Sequence, residues 1–406
     1  MSMKVTRHVL CVNSGSSSLK FHVYAMGDTE VALAKGAVTD LGQEDGRLRF
    51  VDGEGKVFAE QALGVVDHET AIEQALKVLS AGTLPEIDAI GHRVVHGGPK
   101  HLAPEILTPD LIEDLQRHVA WAPLHLPVSL RVIAALSAHH PGLPQVACFD
   151  TAFHAGMPEV ARRLPLPRHF YDEGVHKYGF HGLSYEYVRG VLRKDGEGRM
   201  IMAHLGNGAS MVACVDGAPV ETTMGMTPLG GFMMGTRTGD LDPGVMLYLM
   251  REKGYDDQSL EQLLDKESGL KGVSGEPGDM ETLLHLQARH AGAAQAVEKF
   301  CYEARKTIGS LAAVLGGLDV LVFTGGIGER AAPVRARICE PLTHLGIELA
   351  QAANDADAPV ISPAGSGCTV RIVPTNEDLM IARHTCALVF GHCLETWHAD
   401  RPDKED

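Results

Sequence analysis

The chain lacks the marks of a secreted, membrane-spanning or metal-stapled protein. Its eight cysteines (Cys11, Cys148, Cys214, Cys301, Cys339, Cys368, Cys386, Cys393) include no CxxC pair. In a sequence of this size that pattern reads as small buried hydrophobes in a reducing cytoplasm, not as staples or zinc ligands. No apolar run approaches the ~20 residues of a membrane span. The start, MSMKVTRHVL, has neither the apolar core nor the cleavage site of a signal peptide. Histidine is plentiful at 21 residues, yet no HExxH or other metal-ligand spacing occurs, and His139-His140 before Pro141-Gly142 reads as a helix end. Walker A is absent, because Lys20 follows Gly15 without the second glycine, and protein-kinase signatures are absent too. Positive charge is scarce. With 36 Lys and Arg against 52 Asp and Glu, the net charge of -16 excludes nucleic acid and an anionic membrane as partners.

What is present is an ordinary globular composition, 45% hydrophobic and 22% charged, in 406 residues, enough for two domains. Strand-like runs at 5–12 and 18–25 surround the turn Asn13-Ser14-Gly15-Ser16-Ser17, and VALAKGAV and RLRFVD follow. A helix is predicted over Ala71–Leu79, a second capped by Thr108 with Pro109 in its first turn, and a third over 128–140, leading into the strand QVACFD. The order then begins again. Met200–His204 and Met211–Val215 are strands around Leu205-Gly206-Asn207-Gly208, VLVFTGGIGE is a strand with a glycine turn, 333–344 a helix, TVRIVPT a strand and 378–392 a helix. Mixed α/β order repeated once predicts two similar domains, with a boundary near residue 150.

Three polar, glycine-bearing turns at strand ends (Asn13–Ser18, Gly206–Ser210, Thr324–Glu329) suit a polyphosphate, because glycine lets backbone N–H groups approach an anion closely. Any one of them is explained equally well as a hairpin turn. In an acidic chain, cations set among glycines are informative: Arg93 before His96-Gly97-Gly98, and Arg237 within Met234–Asp240. Phosphoryl transfer needs such fixed cations for the equatorial oxygens and one or two oxygen ligands for a metal, for which Asn13 and Glu377 are candidates. Glu377 is equally a helix-start acid favoured by the helix dipole. A different chemistry also fits one motif. Gly326-Ile327-Gly328-Glu329-Arg330-Ala331 matches GxGxxA, with Glu348 placed as a ribose acid, so a dehydrogenase is the runner-up. That reading leaves the Asn13 and Gly206 turns without a role.

These same residues make the chain resemble the acetate kinases over most of its length. The family's opening NxGSSSxKF stands at Asn13–Phe21, HRVVHGG at His92–Gly98, FDTAFH at Phe149–His154 and YGFHG at Tyr178–Gly182. HLGNGAS stands at His204–Ser210, MGTRxGDxDPG at Met234–Gly244, FTGGIGE at Phe323–Glu329 and TNED at Thr375–Asp378. The resemblance implies a duplicated βββαβαβα fold, two RNase H-like, actin-like ATPase domains with a nucleotide cleft between them. It implies residues 1–150 plus about 379–406 as the first domain and 151–378 as the second. It further implies ATP with Mg2+ (or Mn2+), acetate as acceptor, acetyl phosphate as product, and a homodimer.

Carried over by motif position, Arg93 and Arg237 clamp the phosphoryl group, His181 donates to it, and Asp150 orients an arginine. Asn13 and Glu377 hold the metal. Lys20, His204, Leu205, Gly206, Asn207, Gly208, Asp279, Gly325, Gly326, Ile327 and Gly328 contact the nucleotide. Val95, Leu124, Phe180 and Pro228, with His125, surround the acetate methyl, and valine at 95 favours acetate over propionate. Several positions depart from the family pattern. Leu126 replaces an asparagine, HGTSH becomes His181-Gly182-Leu183-Ser184-Tyr185, Gly230 stands where PLEG or PLAG is common, and Glu281 replaces an arginine beside the adenine. Two readings compete within the family: a propionate kinase, and a non-catalytic nucleotide-binding paralogue.

Overall fold

The computed structural model describes residues 5–15, 18–82, 84–192 and 198–391. Ser16 and Ser17 of the opening motif, and residues 392–406 of the first expected domain, lie outside the described residues. The chain divides into two compact units, Met1–Ala152 with Asn376–Asp406, and Phe153–Thr375.

The first unit is built on an eight-stranded sheet. Its strands are β1 (Arg7–Ser14), β2 (Leu19–Met26), β3 (Glu30–Thr39), β4 (Arg47–Asp52), β5 (Val57–Ala62), β6 (Ala89–Val94), β7 (Glu105–Ile106) and β8 (Gln145–Phe149), in the order β5-β4-β3-β2-β1-β6-β8-β7. The first five form an antiparallel meander, and β6 and β8 extend it in parallel from β1. Alternation decides the faces. Leu10, Val12 and Ile90 point into one core with Ala71, Ile72, Val128 and Val132 from helices His68–Leu79 and Leu126–His139. The opposite face is covered by the helix Glu377–Phe390, and it is why residue 91 is glycine. A Cβ there would lie 2.3 Å from Thr385 Oγ1 and 2.5 Å from Ile381 Cγ2.

The second unit holds β9 (Arg199–Leu205), β10 (Ala209–Val215), β11 (Ala218–Thr222), β12 (Val320–Thr324) and β13 (Thr369–Ile372), ordered β11-β10-β9-β12-β13. This is the core of the first sheet again: three antiparallel strands, then two added in parallel. The fold is therefore a duplicated mixed α/β architecture. Three strands carry weak sequence signals: β5 is an edge strand with four of its six residues exposed, β7 has two residues, and β11 contains a proline. The glycines after β12 form no open turn but the first turn of a short helix, Gly325–Arg330.

Six cysteines are free and buried, as the composition predicts. Cys386 is disulfide-bonded, which corrects the expectation that no cysteine is cross-linked, and Cys393 lies outside the described residues. Cysteine spacing alone does not fix a pairing, so the sequence carries no signal for this bond. Among the described residues no helix is long and apolar enough to cross a membrane.

Candidate active site

In the first unit, β1 and β6 run parallel, with Val12 opposite His92. The residues just beyond this pair, Asn13 and Arg93, therefore emerge together at the carboxyl ends of their strands. Asp150, the residue after β8, lies beside them. The Arg93 guanidinium donates through Nε to both Asp150 oxygens (3.1 and 3.0 Å), through Nη2 to Oδ2 at 2.6 Å, and through Nη1 to Asn13 Oδ1 at 3.2 Å. Glu377, the first residue of its helix, brings Oε2 to 3.9 Å from Arg93 Nε. Burial by itself disfavours the guanidinium charge, but Asp150 and Glu377 outweigh it and hold the pKa above the ordinary arginine value. Arg93 is thus a fixed cation in a fixed orientation, because a planar fork held by a carboxylate cannot rotate freely.

The oxygens gathered here also suit a hard cation. Asn13 Oδ1 keeps a second lone pair, and Asp378, next to Glu377, has a buried Oδ1 without a hydrogen bond. Burial raises the Asp378 pKa, yet His22, with Nδ1 at 3.2 Å from Oδ2, brings it below the usual carboxylate value, so the group is ionised. Among the described residues no cluster of three or more His, Cys, Asp or Glu forms a complete metal cage. A donor set of one or two carboxylates fits Mg2+, which draws its other ligands from water and phosphate. Lys20 is exposed on β2, directly opposite Asn13 in register. Val95 is buried just past β6, and Leu124 and His125 are half-buried before the helix at 126.

In the second unit, the hairpin β9–β10 turns through Gly206-Asn207-Gly208, with Gly206 N–H donating to the Gly208 carbonyl (3.1 Å). His181 caps the helix Gly182–Val191 with a left-handed backbone (φ 58°), a conformation that aims its ring at this turn. A Cβ at Gly208 would meet His181 Nε2 at 3.3 Å and Arg237 Nη1 at 3.6 Å, so two nitrogen donors converge over a residue that offers no side chain. Arg237 is held by its Nη1 bond to the Pro228 carbonyl (2.9 Å), with Asp265 Oδ1 4.0 Å from Nε. The loop carrying it is locked to the turn, since Gly235 N–H donates to the Asn207 carbonyl (2.9 Å) and a Cβ at Gly235 would lie 2.1 Å from Asn207 Oδ1. Gly230 does not loosen this loop. Asp240 closes it by accepting from Gly231 N–H (2.8 Å), and a Cβ at 230 would sit 3.3 Å from Asp240 Oδ1.

Gly325 (φ 75°) packs on Leu205, where a Cβ would fall 2.8 Å from the carbonyl oxygen. Glu329 accepts from Gly325 N–H and Thr375 N–H. Arg335, fully buried, donates to the Gly328 carbonyl (2.9 Å) and to Asn354. Gly325, Gly326, Ile327 and Gly328 therefore form one braced turn beside His204 and Leu205. Asp279 caps the helix Met280–Leu286 through Thr282 N–H (2.8 Å), and Glu281 is exposed in that helix's first turn. Phe180 is buried and Pro228 half-buried. Leu126 and Leu183, two of the departures, are buried apolar residues that fill core. Ser210, Asp378 and Arg335 had no role assigned from the motifs. Asp378 stood inside TNED and Ser210 inside HLGNGAS, whereas Arg335 carries no signal, since an arginine in a helical pattern reads as surface.

Two repeated α/β units, one holding Arg93 against Asp150 at a strand end and the other holding Arg237 beside a glycine-bearing hairpin turn, supply the fixed cations of a phosphotransferase. The chain belongs to the acetokinase family, whose sequence profile matches residues 8–383. The acetate kinase of Rhodopseudomonas palustris is 45% identical over 398 residues, covering 94% of this chain and 98% of its own length. That of Methylocella silvestris is 44% identical over 400 residues, covering 95% and 98%. Among solved structures, Porphyromonas gingivalis acetate kinase superposes with a TM-score of 0.83 at 37% identity, covering 94% of this chain and 99% of that one. A propionate kinase from Francisella tularensis superposes at 0.89 with 35% identity, covering 94% and 100%. Full-length similarity of this kind overturns the dehydrogenase reading of Gly326–Ala331: the glycines belong to the braced turn.

Proposed function

We propose that the protein is an acetate kinase, transferring the γ-phosphoryl group of ATP directly and reversibly to acetate to give acetyl phosphate and ADP. The observation that carries the reading is that each arginine of the motif set is immobilised: Arg93 by Asp150 and Arg237 by the Pro228 carbonyl. Acetate is ionised near neutral pH, as carboxylates of pKa ~4 to 5 are, so its oxygen can attack phosphorus without a general base. What the protein must supply is position and charge. Arg93 and Arg237 match the charge on the equatorial oxygens, His181 Nε2 donates to one of them, and Asp150 keeps Arg93 in plane.

Asn13 and Glu377, the latter through water, would hold Mg2+, with Mn2+ as a substitute. Bound there, the ion neutralises charge on the phosphate oxygens. The nucleotide side is Lys20, His204–Gly208, Asp279 and Gly325–Gly328. Val95, Leu124, His125, Phe180 and Pro228 meet the acyl group, and the bulk of Val95 favours acetate over propionate. One methylene is worth only ~1–3 kcal/mol in such a pocket, so the wall acts by shape.

A cytoplasmic homodimer completes the proposal. Its support is the helix Pro243–Lys253, which buries no residue and leaves Val245, Leu247, Tyr248 and Met250 exposed, an apolar face a second copy would cover. Light scattering of Leu247→Glu tests that face. The activity is tested by a hydroxamate assay with Mg-ATP and with Mg-GTP across formate, acetate, propionate and butyrate. Acyl phosphate from acetate, at a higher kcat/KM than from propionate, is expected. Comparable values for the two acids would overturn the acetate assignment. Nucleotide binding without turnover on any acid would favour the non-catalytic paralogue.

A further inference from the structure

The departure at position 185, where the acetokinase pattern has histidine and this chain has tyrosine, is not filler. Tyr185 is fully buried on the helix Gly182–Val191, with its ring against Phe153 (centroids 6.0 Å apart) and edge-on to His154 (5.7 Å). Its hydroxyl lies 2.5 Å from Ser210 Oγ, and Ser210, also fully buried, lies 2.8 Å from His181 Nδ1. These three groups form a chain that ends on the ring whose Nε2 converges with Arg237 Nη1 over Gly208.

The direction of the chain follows from the hydrogens available. A serine hydroxyl has one proton to give, and a phenol is the more acidic of the two hydroxyls. The favoured order is therefore Tyr185 donating to Ser210 and Ser210 donating to His181 Nδ1. With Nδ1 accepting, the ring proton resides on Nε2, the atom turned toward the glycine turn. The other ring in the stack is held in a similar way, with His204 Nδ1 2.8 Å from Ser184 Oγ. The groups facing His181 are then His204 on its flat side, Ser210 and Tyr185 behind Nδ1, and the Arg237 cation near Nε2.

We propose that Tyr185 is a positioning residue which, through Ser210, holds His181 in the Nε2–H tautomer that donates to the transferring phosphoryl group. The final clause rests on the acetate kinase reading above, whereas the tautomer itself does not. The reaction is unchanged in its atoms, and Tyr185 gives up no proton in the net step.

The test uses the full-length protein labelled with 15N-histidine, the His181 signals being assigned by their loss in His181→Gln. Wild type is expected to show the Nε2–H tautomer. Tyr185→Phe keeps the ring and deletes the hydroxyl. It should give mixed tautomers and a kcat about 10-fold lower, the effect of roughly one neutral hydrogen bond, with ATP KM within about 2-fold. Tyr185→His should recover most of the loss. Ser210→Ala should show the same kcat defect, and the double variant Tyr185→Phe/Ser210→Ala should be no worse than Ser210→Ala alone. An Nδ1–H tautomer in wild type, unchanged kcat in Tyr185→Phe, or additive losses in the double variant would overturn the relay. If Tyr185→Phe does not fold, the wild-type tautomer and the Ser210→Ala and Tyr185→His variants still decide it. Absence of wild-type turnover with an intact Nε2–H signal would remove the kinase reading and leave the relay standing.

Discussion

The imidazole rings of His181 and His204 lie 4.3 Å apart and parallel to within 16°, and each directs Nε2 toward a glycine of the same turn. A Cβ would fall 3.3 Å from His181 Nε2 at Gly208, and 3.8 Å from His204 Nε2 at Gly206. The turn therefore places no side chain between these two nitrogens and the space over it.

Gly208→Ala should therefore cost activity more than stability. The backbone there does not have positive φ, so alanine is conformationally acceptable. Its methyl would stand where His181 and Arg237 converge. We expect kcat to fall about 10- to 100-fold with a melting temperature within a few degrees of wild type, measured by steady-state kinetics and thermal denaturation. Wild-type kcat would show that this point is not where the phosphoryl group sits.

Arg93→Ala should lower kcat by about 10²- to 10³-fold with little change in ATP KM, because the interaction it removes is strongest in the transition state. The buried Asp150 also loses its hydrogen bonds from the Arg93 guanidinium, so the variant should unfold at lower urea. Kinetics and urea titration read the two effects separately, and turnover near wild type would refute the clamp.

Arg335→Met keeps most of the side chain's volume but leaves Asn354 Oδ1 and the Gly328 carbonyl without donors. A loss of about 3 kcal/mol of stability is expected from orphaning buried acceptors. Since the Gly325–Gly328 turn depends on the same brace, ATP KM should rise while kcat at saturation changes little. Urea denaturation and ATP titration check this.

Much of this could be read from the residues, and what could not has specific causes. The Gly15, Gly206 and Gly326 regions were legible because phosphate chemistry, turn geometry and strand ends all demand glycine in the same places. Arg93 and Arg237 stood out against an acidic background. The braced character of the Gly325 turn was invisible, since Arg335 comes from a helix whose pattern does not mark a buried cation. Ser210 and Tyr185 stood inside named motifs, yet their hydrogen bond joins a helix to a strand, a pairing that spacing does not encode. The exposed strand β5 was missed because four of its six positions are exposed and leave no apolar alternation.

Stability should depend on pH through two buried histidines. Burial lowers His92 and His154 to about 4, despite hydrogen bonds to Gln145 Oε1 and the Phe180 carbonyl. The unfolded chain takes up protons near pH 6.5, and the native rings take them up only near 4. Stability is thus fully present above about 6.5 and falls as pH drops, by about 2 kcal/mol for each ring at pH 5. Urea midpoints at pH 7.5 and 5.0 should differ accordingly, and His92→Gln should flatten the dependence. An equal slope in that variant would mean that His92 is charged in the native state.

The face of β1 and β6 that needs Ile381 and Thr385 stays bare on the ribosome until residues 153–375 have been made. The nascent first sheet must therefore wait, half-finished and greasy on one side, while the second unit is synthesised. The same late segment delivers Glu377 to Arg93. Closure of that sheet and assembly of the Arg93 half of the candidate centre are consequently one event, and it follows synthesis of the second unit.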